Sequence, residues 1–285
     1  MPLKQAADSG SEPLDSVEID RRNEEFWDEL CGTGLARQLG LVGRDQETLD
    51  AFDRAYFAFY PYLLGYLDRF QLAGRRVLEV GLGYGSLGQE IVRRGALYYG
   101  LDIAAGPVQM MQHRLAMLGL VGEERILQGS AAAMPFKNAS FDWVYTIGTL
   151  HHTGALAESI EEVRRVLVPG GSAVVMLYHE DSARQLLKVR LPAAVARFRG
   201  RSGPTPQGVA RMYDANSSGA AAPHTEFVSR RAVRSLFSQY AEVRIETRNF
   251  DDIRIRRRLV IPRSRALGSP LERWLGLDLY VVARR

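Results

Sequence analysis

Glu79, Gly81, Gly83 and Gly85 stand at alternate positions in the stretch Val77-Leu78-Glu79-Val80-Gly81-Leu82-Gly83-Tyr84-Gly85-Ser86-Leu87-Gly88. The order predicts a short buried strand, a tight turn, and a helix running on through Gln89 to Arg94. Glycine in such a turn lets the backbone approach a ligand more closely than any side chain would allow. The turn opens a helix N-terminus at the carboxyl end of a strand, where open α/β sheets bind ligands. Gly83-x-Gly85-x-x-Gly88 also fits the dinucleotide fingerprint, with Asp102 about 20 residues further on. Glu79 argues against that reading, because a carboxylate there would face a pyrophosphate at short range. The same carboxylate suits a ligand bearing an ammonium or a sulfonium.

A second group of reactive residues follows. His151 and His152 come directly after an apolar segment ending near Ile147. An imidazole there is able to act as a base near neutral pH, and a structural role is the alternative. Tyr178 and His179 end another apolar segment, and Tyr213, Asp214, His224 and Glu226 lie in a long loop where they could touch an acceptor. The histidines and the single cysteine, Cys31, lack metal-ligand spacing, so no metal site is expected.

The stretch from Glu79 to Gly85 resembles motif I of the class I S-adenosylmethionine-dependent methyltransferases. Three further segments follow in that family's order. Gly100-Leu101-Asp102-Ile103 resembles its second strand. Phe141 to Tyr145 with Leu150-His151-His152-Thr153 resembles its fourth strand and loop. Val163 to Ser172, with Pro169-Gly170-Gly171, resembles its fifth-strand approach. The resemblance covers roughly residues 74 to 180 and is closest to the methyltransferase-11 or ubiquinone-methyltransferase-like branch. It implies S-adenosylmethionine as cofactor, S-adenosylhomocysteine as product, and cofactor contacts from Glu79, Gly81, Gly83, Gly85, Asp102, Ile103, Ser130, Ala131 and Ile147. Asp102 would take the ribose hydroxyls. The family often has an acid for the adenine amino group where this chain has Gly129-Ser130-Ala131, so Ser130 would be a weaker acceptor. His152 matches the family's recurring histidine better than His151 and is the catalytic candidate. Tyr178, His179, Tyr213 and His224 are the substrate candidates.

These groups need a scaffold. Strands are expected near 76–80, 97–101, 125–128, 142–147 and 173–178, and helices near 86–94, 107–118 and 156–167, an alternation that builds a parallel sheet. Strands near 242–247 and 277–283 would complete it. The expected fold is α/β and Rossmann-like, a seven-stranded mostly parallel sheet with helices on both faces, the last strand antiparallel as the resemblance implies. Residues 1–18 read as disordered, 19–73 as a helical extension divided at Pro61, and 74–180 as the cofactor-binding core. Residues 181–228 read as a substrate cap with a helix interrupted near Pro192 and a long loop over 200–227. Residues 229–285 would hold the final helix and strands. Tyr56, Tyr60 and Tyr62 would be the lid residues if the extension covers the site.

Bulk properties narrow the function. The composition is ordinary for a globular protein, at 46% hydrophobic residues and net charge +4. One cysteine excludes an internal disulfide, and neither a signal peptide nor a membrane-spanning run stands out. A cytoplasmic protein is expected. Residues 1–70 carry twice as many acids as bases, whereas the region beyond 180 is arginine-rich. That asymmetry could steer an anionic acceptor. No RNA-binding module or basic–aromatic alternation accompanies the arginines, which argues against nucleic acid. The leading expectation is methyl transfer to the oxygen or nitrogen of a small, possibly anionic molecule. An RNA methyltransferase, a nicotinamide-dependent oxidoreductase and a non-catalytic cofactor-binding protein are the alternatives. Oligomeric state is left open.

Overall fold

The computed structural model describes residues 15–29, 34–41, 43–120, 125–255 and 258–285, with residues 254, 255, 258 and 259 described by backbone only. Most of the expected disordered stretch, 1–14, and Cys31 lie outside the described residues. Residues 16–18 are not disordered. They begin helix α1 (Ser16–Asp28), whose first turn is capped by the Asp15 carboxylate accepting from the Glu18 amide. The extension continues through α2 (Gly34–Gln38), α3 (Gln46–Phe59) and α4 (Leu63–Asp68). Pro61 falls between α3 and α4, as a residue without an amide hydrogen should.

The core follows the expected alternation: β1 (Arg76–Val80), α5 (Ser86–Arg93), β2 (Leu97–Asp102), α6 (Ala105–Met117), β3 (Ile126–Gln128), β4 (Phe141–Ile147), α7 (Leu156–Val166) and β5 (Leu167–Tyr178). The first five strands are mutually parallel in the order β3-β2-β1-β4-β5. The chain then leaves the sheet and returns as β6 (Glu242–Arg248) and β9 (Asp278–Arg284). β9 inserts between β5 and β6 and runs antiparallel to both.

Successive strand residues point to opposite faces, so the sheet has two cores. One face buries Leu78, Val144, Val175 and Val281 beneath Ile160 and Val163 of α7 and Phe237 of the late helix. The other buries Val77, Tyr145, Val174 and Tyr280 beneath Leu63 and Leu67 of α4, Ile91 of α5 and Met111 of α6. The helical extension therefore packs on the second face, alongside the glycine turn.

The segment after β5 departs from expectation in one place. The α-helix is interrupted near Pro192 as expected: a π-turn (Leu186–Arg190) separates α8 (Ala183–Gln185) from α9 (Leu191–Phe198), whose first turn holds Pro192. Residues 200–227 are not a structureless loop. They contain α10 (Pro206–Arg211), capped by Thr205, and an Ala215–Ala221 bridge. Helix α11 (Arg230–Leu236) is capped by Ser229 as expected. A hairpin, β7 (Ile253–Ile255) with β8 (Arg258–Ile261), and the short helices α12 (Arg263–Ala266) and α13 (Pro270–Leu275) were not anticipated. No helix among the described residues is long and apolar enough to cross a membrane.

Candidate active site

The strand order reverses between β1 and β4, and a cavity of about 490 Å³ opens at their carboxyl ends. Each glycine of the turn does a different job. Gly81, Gly83 and Gly85 all have positive φ, at 84°, 52° and 79°. A Cβ on Gly81 would collide with Thr149, and one on Gly85 with the Arg114 side chain. A Cβ on Gly83 would meet no protein atom within 4 Å. Gly83 lines the cavity, so a side chain there would project into open space meant for something else. The turn is a cradle whose centre is kept bare.

Asp102 fastens the cradle. Its carboxylate accepts from the amide of Leu82 at 2.7 Å and from that of Ala104 at 3.0 Å. Burial pushes its carboxyl up to about 6, against the pull of those amides. Asp102 also lines the cavity. Glu79 is more enclosed than expected. The Tyr98 hydroxyl donates to its Oε2 at 2.5 Å, and burial raises the carboxyl to about 8. Gly88 admits this pair, since a Cβ there would strike both Tyr98 and Glu79.

A buried ion pair anchors the turn from behind. Arg114 of α6 is fully buried and binds Asp53 of α3 through both terminal nitrogens, each at 2.9 Å. Its Nε donates to the Tyr84 carbonyl in the turn, and Ser86 donates to Asp53. The extension is thereby tied to the glycine turn itself.

Ile103, Ala131 and Ile147 line the cavity as expected, but Ser130 does not. His152 also lines it and is almost fully buried. Its Nδ1 lies 2.8 Å from the His224 carbonyl, which accepts only, so Nδ1 carries the proton. Among the described residues Nε2 has no hydrogen-bond partner, and it lies 3.5 Å from Asp214 Oδ2. The Tyr178 hydroxyl donates to that same oxygen at 2.9 Å. Trp27 of α1 packs against the His152 ring, and Asn23 donates to the His152 carbonyl. His151 is buried beneath Tyr178 and does not reach the cavity, and burial lowers its basicity well below the ordinary value.

Two substrate candidates are not brought to the cavity. His179 turns into the sheet, with Nδ1 2.9 Å from the Gly276 carbonyl, because alternation along β5 sends it opposite to Tyr178. His224 contributes its backbone carbonyl, not its ring. Tyr62 is likewise off the cavity, packed on Tyr280, while Tyr56 and Tyr60 line it.

The structure adds residues that no local motif marked. Asp20, Asn23 and Trp27 reach the cavity from one face of α1, and Asn249 and Asp278 from the late strands. Asn249 donates to Asp278 at 2.9 Å, and burial pushes that carboxyl up to about 7. Three cations of the expected basic cap are paired. Arg184 is held by Asp251 in two hydrogen bonds of 2.7 Å, Lys188 lies on the same carboxylate, and Arg190 pairs with Asp181 and Glu180.

Residues 78–175 match the family model of a methyltransferase domain. That stretch, about a third of the chain, is a methyltransferase domain. Among its relatives are a sterol 24-C-methyltransferase of Gibberella zeae, 37% identical over 123 residues (43% of this chain, 32% of that one), and a fatty-acid O-methyltransferase of Mycolicibacterium smegmatis, 36% identical over 100 residues (34% and 35%). The matched part thus spans about a third of the length of these relatives. The fold matches an S-adenosylmethionine-dependent methyltransferase from Mesorhizobium loti with TM-score 0.51 at 18% identity, over 80% of this chain and 98% of that one. The family's cofactor is S-adenosylmethionine, and the bare cradle at Gly83 with the Asp102 carboxylate fits it.

A direct check of the cradle is Gly83→Val. Strain at positive φ costs roughly 1–2 kcal/mol of stability, and a branched side chain would occupy the ligand's space at about 1–3 kcal/mol of binding. Affinity for S-adenosylhomocysteine should fall by about 5- to 150-fold in a folded protein, measured by calorimetry. Unchanged affinity would show that the turn does not touch the ligand.

Proposed function

We propose that this chain transfers a methyl group from S-adenosylmethionine to a hydroxyl oxygen or amine nitrogen of a small molecule, with His152 as the general base. The cofactor supplies an electrophilic methyl on a sulfonium, attacked in line by the acceptor. The remaining work falls to the protein. The glycine turn and Asp102 hold the cofactor, with Glu79 behind them. The observation that carries the reading is His152 itself, a cavity-lining residue whose buried Nε2 has no hydrogen-bond partner among the described residues and lies 3.5 Å from Asp214. A lone pair and a carboxylate that face each other both seek a hydrogen-bond donor. An acceptor O–H or N–H that reaches Nε2 donates to its lone pair and delivers its proton there, beside the carboxylate. Asp214 then stabilises the imidazolium, while Tyr178 keeps that carboxylate oriented.

The same geometry bears on the acceptor's charge. With Arg184 committed to Asp251, the acceptor half presents Asp214 and Asp278, which favours a neutral or cationic hydrogen-bond donor over an anion. Residues 181–228 contribute Arg184, Met212, Tyr213 and Asp214 to the wall, which supports assigning them to acceptor recognition. The test is to incubate the protein with methyl-labelled cofactor and a panel of small alcohols, phenols, amines and carboxylates. Label should enter O–H or N–H acceptors. Label confined to carboxylates or to carbon would sink the proposal.

Glu79 makes cofactor binding pH-dependent. Its carboxyl, at about 8 without ligand, is largely protonated at pH 7. A cationic ligand favours the ionised form, so binding should release a proton. Affinity for S-adenosylmethionine should therefore rise from pH 6 and level off above about pH 8. Calorimetry in buffers of different ionisation enthalpy measures this, and proton uptake on binding would contradict it.

A further inference from the structure

We infer that Asp20, on the N-terminal helix α1, is the acceptor for the adenine amino group of the cofactor, in place of the acid that the third strand lacks. The inference rests on the cofactor reading above. The third strand is followed by Gly129-Ser130-Ala131, and Gly129 and Ala131 line the cavity beside Ile103 while Ser130 does not. Ser130 is already occupied. Its Oγ accepts from the Ala132 amide at 3.2 Å, and, against the burial that raises the Asp20 carboxyl, its hydroxyl favours the ionised form of that group. Ser130 thus acts as a positioning residue, and the carboxylate it positions is the one that reaches the cavity.

Asp20 is placed by a helix that is fastened on several sides. Ile19 and Phe26 are buried, Asn23 donates to the His152 carbonyl, and the Asp28 carboxylate accepts from the Gly106 amide at the start of α6. Gln128, at the end of β3, donates to Glu24. Residues 20, 23 and 27 share one face of α1, so fixing Asn23 and Trp27 aims Asp20 at the same cavity. The carboxylate is half-buried, and among the described residues no lysine or arginine pairs with it. A half-buried carboxylate without a cation costs stability unless a ligand donor satisfies it. The exocyclic amine of adenine is such a donor, and it needs an acceptor when enclosed.

The test compares S-adenosylhomocysteine with its deaminated analogue, S-inosylhomocysteine, which carries a carbonyl oxygen where adenine has the amine. Binding of each is measured by calorimetry to the unaltered chain, Asp20→Asn and Asp20→Ala. A hydrogen bond to a charged group corresponds to about a ten- to hundredfold preference for the adenine ligand in the unaltered chain. Asp20→Asn should bring the two affinities together, since an amide can donate to the carbonyl, and Asp20→Ala should also erase most of the preference. An unchanged preference in both variants overturns the assignment. So does an equal loss of both ligands, which would make Asp20 a prop for the helix and not a reader of the base. Failure of the unaltered chain to bind either ligand would overturn the cofactor reading itself, and this inference with it.

Discussion

His152→Ala should lower methyl transfer by about two to four orders of magnitude while leaving S-adenosylhomocysteine affinity unchanged. The split follows from geometry. The Nδ1 proton is committed to the His224 carbonyl, so only Nε2 is left to take a proton, 3.5 Å from Asp214. The glycine turn and Asp102 do not depend on the ring. The Asn23 bond is to the His152 backbone and survives the substitution. Single-turnover rates with bound cofactor measure the loss, and added imidazole should restore part of it by entering the vacated space. Asp214→Asn should reduce the rate less, because it removes stabilisation of the imidazolium but keeps the base. Full turnover by His152→Ala would show that the acceptor needs no base from this residue, and the O- or N-methylation reading would fail with it.

Asp53→Ala should destabilise the protein by about 3–5 kcal/mol, because it leaves the Arg114 guanidinium buried and uncompensated. Arg114 is fully enclosed, and Gln89 and the Tyr84 carbonyl, its other partners, are neutral. Equilibrium unfolding in urea measures the change. A loss below about 1 kcal/mol would mean that the pair behaves like an exposed one. The same substitution should weaken cofactor binding, since Arg114 holds Tyr84 within the turn. Replacing both residues with apolar ones of similar volume should recover much of the stability without recovering the affinity, because the bond to the turn is still missing.

The sequence by itself determined the cofactor half of the molecule. Glu79 to Gly88, Asp102 and the Pro169-Gly170-Gly171 turn are local signals. Each depends on a strand end or a backbone conformation set by neighbours in the chain, so period and glycine spacing suffice to place them. The strands and helices of residues 76–178 could be read for the same reason, as could the Ser229 cap and the two final strands.

The acceptor half was decided only by tertiary structure. Its wall draws on residues remote in sequence: Trp27 from α1, Tyr60 beside α3, His152 after β4, Asp214 after α10, Asp278 on β9. Nothing near Asp278 in the chain distinguishes it from a surface acid, and the antiparallel insertion of β9 next to β5 is what buries it. The arginines beyond residue 180 pointed to an anionic partner because sequence gives charge without pairing. Folding set Arg184, the arginine that reaches the cavity from this region, against Asp251, 67 residues away. His179 and Tyr178 are neighbours in the chain but lie on opposite sides of a strand, so only one faces the cavity. The Asp53–Arg114 pair was invisible for the same reason that it matters, since its members are 61 residues apart and meet only when the extension packs on the sheet. Local chemistry is written in short spacings, whereas burial and charge pairing are properties of which distant segments the core brings together.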